Sequence, residues 1–85
     1  MEPVAGKAIA GLLVDVFGVE MTAATGVCAH CNAVGVLAEQ VVYNRAPGTV
    51  VRCRSCAGVL IVIVDVRGTY SVDLEGLAAL ERPAS

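Results

Sequence analysis

Apolar positions recur along residues 5–17, AGKAIAGLLVDVF, so that Ile9, Leu12, Leu13, Val16 and Phe17 share one helical face while Lys7 and Asp15 lie off it. Gly18 follows as a stop, because a residue without a Cβ takes the left-handed conformation at little cost. This pattern predicts an N-terminal helix over 5–17. The period then changes. Val19–Thr22 reads as a short strand and Ala23–Gly26 as a turn. Gly35–Tyr43, with β-branched Val36, Val41 and Val42 and aromatic Tyr43, reads as a strand. Asn44-Arg45-Ala46-Pro47-Gly48 is a turn signal, and Thr49–Arg52 resumes the strand. Val59–Val66 is an apolar run too short for a helix. Arg67-Gly68 turns it into Thr69–Leu74, where Tyr70, Val72 and Leu74 alternate with Ser71 and Asp73, the pattern of a β-hairpin. Residues 75–81 read as one helical turn and Pro83–Ser85 as a frayed end.

Four cysteines punctuate these elements. Cys28-Ala29-His30-Cys31 is separated by 21 residues from Cys53-Arg54-Ser55-Cys56. Two residues between cysteines let a tight turn aim both sulfurs at one point, and two facing turns supply the S₄ shell that Zn²⁺ accepts at about 2.3 Å. A hairpin over 34–52 fits between the pairs and brings the second beside the first. Backbone N–H groups in such turns donate to sulfur, so the residue after a pair takes positive φ, and Asn32 and Gly58 are types that tolerate it. Metal ligation by Cys28, Cys31, Cys53 and Cys56 is therefore the expectation, one structural Zn²⁺ the expected cofactor, and a three-stranded antiparallel ribbon over 27–74 the expected frame. Three other readings stand beside it. Two disulfides or free thiols would need a reason for oxidation or idleness. A redox Cys-x-x-Cys uses one pair at a helix start rather than two around a hairpin. Iron in a rubredoxin-like site uses similar turns, but one Phe, two Tyr and no Trp leave it without such a protein's aromatic core.

Length changes this picture by adding a need. A chain of 85 residues makes one domain, and a core of that size supplies only about 5 kcal/mol, whereas structural zinc contributes on the order of 10. The hydrophobic share is 56% and the mean hydropathy +0.74, yet no apolar run approaches the ~20 residues of a membrane span. Glu2 and Asp15 argue against a signal peptide, so the cytoplasm is expected, where cysteine pairs bind metal more often than they form disulfides.

Net charge is −2 and the sequence pI about 5.1. Arg45, Arg52, Arg54 and Arg67 give the ribbon a local excess that a thiolate-bound zinc largely cancels. They offer a nucleic-acid-binding alternative without an aromatic stacking platform. His30 sits within the first pair but is expected to be an exposed turn residue, since four thiolates already close the shell. A closed shell leaves no site for substrate, and no nucleophile motif or phosphate loop is present, so no catalysis is expected.

Val16-Phe17-Gly18-Val19, Thr22-Ala23-Ala24-Thr25-Gly26, the two cysteine pairs and Arg45-Ala46-Pro47-Gly48 together resemble a family of short bacterial proteins of unknown function. The resemblance runs nearly end to end and implies a leading helix, a Cys₄ zinc ribbon, a closing hairpin and an accessory role.

The reading is a small metal-bound α+β protein with one zinc-ribbon domain over 1–85, acting as an accessory module that binds another protein. Alternation along 59–66 sends Leu60, Val62 and Val64 to one face and Val59, Ile61 and Ile63 to the other. One helix covers one face, so the second is expected to recruit a partner or a second copy, with Ile61→Lys as the substitution that would disrupt it.

Overall fold

The computed structural model describes residues 3–45 and 48–82. Eight strands form within them: β1 (Val4–Ala5), β2 (Thr25–Cys28), β3 (Val34–Val36), β4 (Val41–Arg45), β5 (Gly48–Arg52), β6 (Val59–Val66), β7 (Thr69–Asp73) and β8 (Leu77–Glu81). They make two antiparallel sheets, one ordered β1-β4-β5-β6-β7 and the other β3-β2-β8. The three-stranded ribbon expected over 27–74 is not found as such: that span contributes β3 and the end of β2 to the smaller sheet and β4 to β7 to the larger one. The protein is a small α+β fold of mostly antiparallel strands with one short N-terminal helix.

That helix is shorter than its apolar period. Ala5 belongs to β1, Gly6–Ile9 form a 3-10 turn, and α1 runs only from Ala10 to Phe17. The cause is at Gly6, whose N–H donates to the Gln40 carbonyl (2.9 Å). A Cβ there would lie 1.7 Å from the Leu37 carbonyl oxygen, so only glycine permits this approach. Gly18 ends the helix at φ 78°, as expected.

Four further expectations are corrected. Residues 19–22 form no strand, and the turn expected over 23–26 falls earlier, at 22–23, where the Ala24 N–H donates to the Met21 carbonyl (3.0 Å), leaving Thr25 and Gly26 to begin β2. The helical turn expected over 75–81 is strand β8: Leu77-Ala78-Ala79-Leu80-Glu81 has helical composition, but its backbone pairs with β2, where tertiary hydrogen bonding overrides a weak propensity. The long strand expected over 35–43 is interrupted by a 3-10 turn at Leu37–Glu39, which buries Leu37 between the sheets. The tip of the β4–β5 hairpin, residues 46–47, and the expected frayed end at 83–85 lie outside the described residues.

The core gathers Ile9 and Leu13 from the N-terminal segment, Met21, Ala24 and Leu37 from the connections, and Val42, Val51, Leu60, Ile61 and Ile63 from the large sheet. Leu12, Val16 and Phe17 pack against it. Register explains which sheet face is covered. Val42, Val51 and Ile61 stand opposite one another across three strands, and all are at most 2% exposed. Ile61 therefore lies on the covered face, which corrects its expected place on a docking surface. The other face carries the row Tyr43–Val50–Val62 with Val41, Val64 and Val66 around it. Tyr43 is 37% and Val66 57% exposed. None of the described helices is long and apolar enough to cross a membrane.

Candidate metal centre

Two loops built to one plan carry the four cysteines. Cys28 ends β2 and Cys53 directly follows β5, so each pair leaves a strand whose direction the sheet fixes. In the first loop the Asn32 N–H donates to the Cys28 carbonyl (2.9 Å) and the Cys28 N–H to the Ala33 carbonyl (2.9 Å). In the second, the Ala57 N–H donates to the Cys53 carbonyl (2.8 Å) and the Cys53 N–H to the Gly58 carbonyl (2.8 Å). Sulfur is solvated the same way in both. The His30 N–H reaches Cys28 Sγ and the Ser55 N–H reaches Cys53 Sγ, each at 3.4 Å, and the Gly58 N–H reaches Cys56 Sγ at 3.3 Å. Closing each loop requires positive φ at the residue after the second cysteine: Asn32 at 64° and Ala57 at 63°. Gly58, expected in that role, does not have it. The left-handed position falls one residue earlier, on an alanine.

The loops face each other. Cys28 Sγ lies 3.7 Å from Cys56 Sγ, Cys31 Sγ lies 3.7 Å from Cys53 Sγ, and all four sulfurs fall within 4.8 Å of one another. A tetrahedral ion with bonds of about 2.3 Å would separate its sulfurs by about 3.8 Å. The four cysteines are free rather than paired in disulfides, and the group could hold a metal ion. Cys28 and Cys53 are buried, Cys31 and Cys56 exposed, so the centre sits at the surface with its inner half in the core.

Electrostatics supply a second reason for a cation. Burial pushes the Cys53 thiol up, but the N–H groups of Cys56 and Ser55 and the sulfurs of Cys31 and Cys56 more than offset this, bringing its pKa down to about 6. The opposite happens at Cys31. The Ala33 N–H favours its thiolate, but burial and the sulfurs of Cys56, Cys28 and Cys53 together raise its pKa to about 12. Cys56 is raised as well. Four sulfurs this close cannot all ionise in their own company, and a divalent cation removes that conflict.

Other groups the sequence singled out fall into place around the loops. His30 is exposed, and its Nε2 lies 3.3 Å from the Val59 carbonyl oxygen, outside the four-sulfur group. The arginines do not converge. Arg52 donates to the Ala57 carbonyl (2.8 Å) and lies over the Tyr43 ring, while Arg54 approaches Glu39 at 3.5 Å, all at the cysteine end of the large sheet. Arg45 ends β4 and Arg67 stands in the β6–β7 turn, at the opposite end, about 13 Å away along β5.

Two supporting residues escaped sequence reasoning. Gln40 is buried: its Oε1 accepts from the Arg54 N–H (3.1 Å) and its Nε2 donates to the Val36 carbonyl (3.1 Å), tying the second loop to β3. The only hint was a polar residue inside an apolar run. Gly76 accepts from the Ala29 N–H (2.9 Å) and so anchors the first loop.

The full chain, residues 1–85, matches the family described as "Family of unknown function (DUF6510)", and the protein belongs to that family. The expected likeness to a family of unknown function thus holds from end to end. No curated protein and no solved structure gave a match.

Proposed function

We propose that this DUF6510 member is a zinc-stabilised interaction module, in which one structural Zn²⁺ on Cys28, Cys31, Cys53 and Cys56 holds the two sheets together and the uncovered sheet face docks another protein. The observation that carries it is the four-sulfur group, with spacings close to those of a tetrahedral ion and backbone N–H groups directed at its sulfurs. Zinc is favoured over iron because a d¹⁰ ion asks only for tetrahedral thiolates, and nothing aromatic encloses the centre as in a rubredoxin.

Four thiolates leave the ion no open position, so the module acts by binding rather than by catalysis. The docking strip is Tyr43, Val50, Val62 and Val64, a contiguous apolar row on a face that the helix does not reach. The separation of the arginines into two ends disfavours nucleic acid as the partner, since phosphate recognition gains from a continuous basic track. We place the protein in the cytoplasm, where reducing conditions preserve such thiolates.

Elemental analysis of protein purified from its host, joined to affinity capture with the wild type and Val62→Lys, tests the reading. A colourless protein carrying zinc, with a partner retained by the wild type and lost by Val62→Lys, is the expected result. A red iron form, or identical partners on both baits, would overturn it.

A further inference from the structure

The geometry points to self-association: we propose that the open edge of β7 pairs antiparallel with β7 of a second copy of this chain, joining two five-stranded sheets around a two-fold axis. This goes beyond the docking reading, because it uses the sheet's edge and not its face.

An open strand edge is a template for another strand, and proteins usually blunt it with Lys, Pro, a bulge or extreme shortness. Three of the four edges here are managed. β1 has two residues, β3 has three and the Gln40 amide already occupies its Val36 carbonyl, and β8 is irregular where its ladder with β2 shifts between Val27 and Cys28. β7 is not. Thr69-Tyr70-Ser71-Val72-Asp73 contains no Lys, Pro or Gly, keeps unbroken register with β6 at all five positions, and pairs with no other strand among the described residues.

The backbone fixes which groups are free. Arg67 and Gly68 form a two-residue turn with φ 55° and 82°, so the flanking pair Val66–Thr69 is hydrogen-bonded and bonded pairs then alternate. Thr69, Ser71 and Asp73 therefore turn their backbone groups toward β6, while Tyr70 and Val72 turn theirs outward. Pairing centred on Ser71 sets Tyr70 opposite Val72 of the second copy, twice by symmetry, and every outward group finds a partner. Side chains agree with that register. Thr69 meets Asp73 of the second copy, and Arg67 at the hairpin tip meets its Glu75, so that no like charges face each other. Val72, 36% exposed, stands directly across from Tyr70 of the second copy, whose ring packs on its own core on the same face of the sheet. The two-fold axis runs normal to the sheet, which puts both apolar strips on one side of the assembly.

Sedimentation velocity on the metal-loaded chain over a wide concentration range tests this. The wild type should be a dimer and Val72→Pro a monomer, since the proline removes an outward N–H that β6 does not use. Arg67→Glu and Glu75→Arg should each weaken dimerisation about tenfold, and the double reversal should restore it. These exposed charges decide the matter even if Val72→Pro loses its native amide spectrum. A wild type that stays monomeric, or a double reversal no tighter than the single variants, overturns the proposal. A Val62→Lys variant that remains dimeric while losing its partner separates this edge from the docking face.

Discussion

Replacing Ala57 by glycine should stabilise the protein, although it removes a methyl group and touches no sulfur. Ala57 holds φ 63° because its N–H must reach the Cys53 carbonyl, and its own carbonyl accepts from Arg52. Both bonds are made by the backbone and survive the substitution. A residue with a Cβ is penalised by about 1–2 kcal/mol in the left-handed region. Glycine avoids that penalty but loses more chain entropy on folding, about 0.5–1 kcal/mol. The difference favours Ala57→Gly by about 0.5–1 kcal/mol. Urea unfolding at fixed free zinc reads it directly, since with a slope near 1 kcal/mol per molar the midpoint should rise by about 0.5–1 M. The other loop supplies the control. Asn32 occupies the equivalent position at φ 64°, where asparagine is tolerated, and Asn32→Ala should cost a comparable amount. If Ala57→Gly lowers the midpoint and Asn32→Ala leaves it unchanged, the two loops are not built on a shared backbone plan.

Lysine at Ile61 puts a charge at a site with 0% exposure and should cost about 4 kcal/mol or more, whereas Val62→Lys on the opposite face should stay within about 1 kcal/mol; equal effects in thermal melts would contradict the assignment of the faces. Gly76→Ala should loosen the first loop, because its Cβ would lie 1.8 Å from the Val59 carbonyl oxygen; a cost of about 1–3 kcal/mol and faster loss of metal to a competing chelator are expected, and unchanged retention would refute it. Acid should release the metal and unfold the chain together. The unfolded chain carries about four more protons than the metal-bound state, so stability should fall by roughly 5 kcal/mol per unit of pH lost. Circular dichroism with a zinc-sensitive dye checks that the two events coincide, and a fold that outlasts its metal at low pH would contradict the coupling.

The cysteine loops and β5, β6 and β7 were legible because their information is local: spacing fixes the loops, and period-two alternation with a two-residue turn fixes the hairpin. The smaller sheet was hidden because its evidence is non-local. β2 is four residues long, and β8, rich in Ala and Leu, becomes a strand only because β2 offers it an edge. The choice of the uncovered face also misled at Ile61, which is fully buried. Alternation separated the two faces of β6 from Ile61 to Val64 but failed at Leu60, which a register shift beside Arg52 leaves in the core. Only the register with Val51 and Val42 says which face the core takes. Ala57 shows the limit at single-residue scale. Residue type pointed to Gly58 as the left-handed position, whereas the loop's hydrogen bonds place it one residue earlier.

The central claim is that one metal ion on four cysteines completes this fold. Titrating zinc into metal-free protein while recording amide proton–nitrogen spectra tests it most directly. The expected result is a collapsed spectrum without metal and a dispersed one that grows to completion at one equivalent, the amides of Cys28–Ala33 and Cys53–Gly58 among those that appear. A fully dispersed spectrum before any zinc is added, unchanged by the first equivalent, would contradict it.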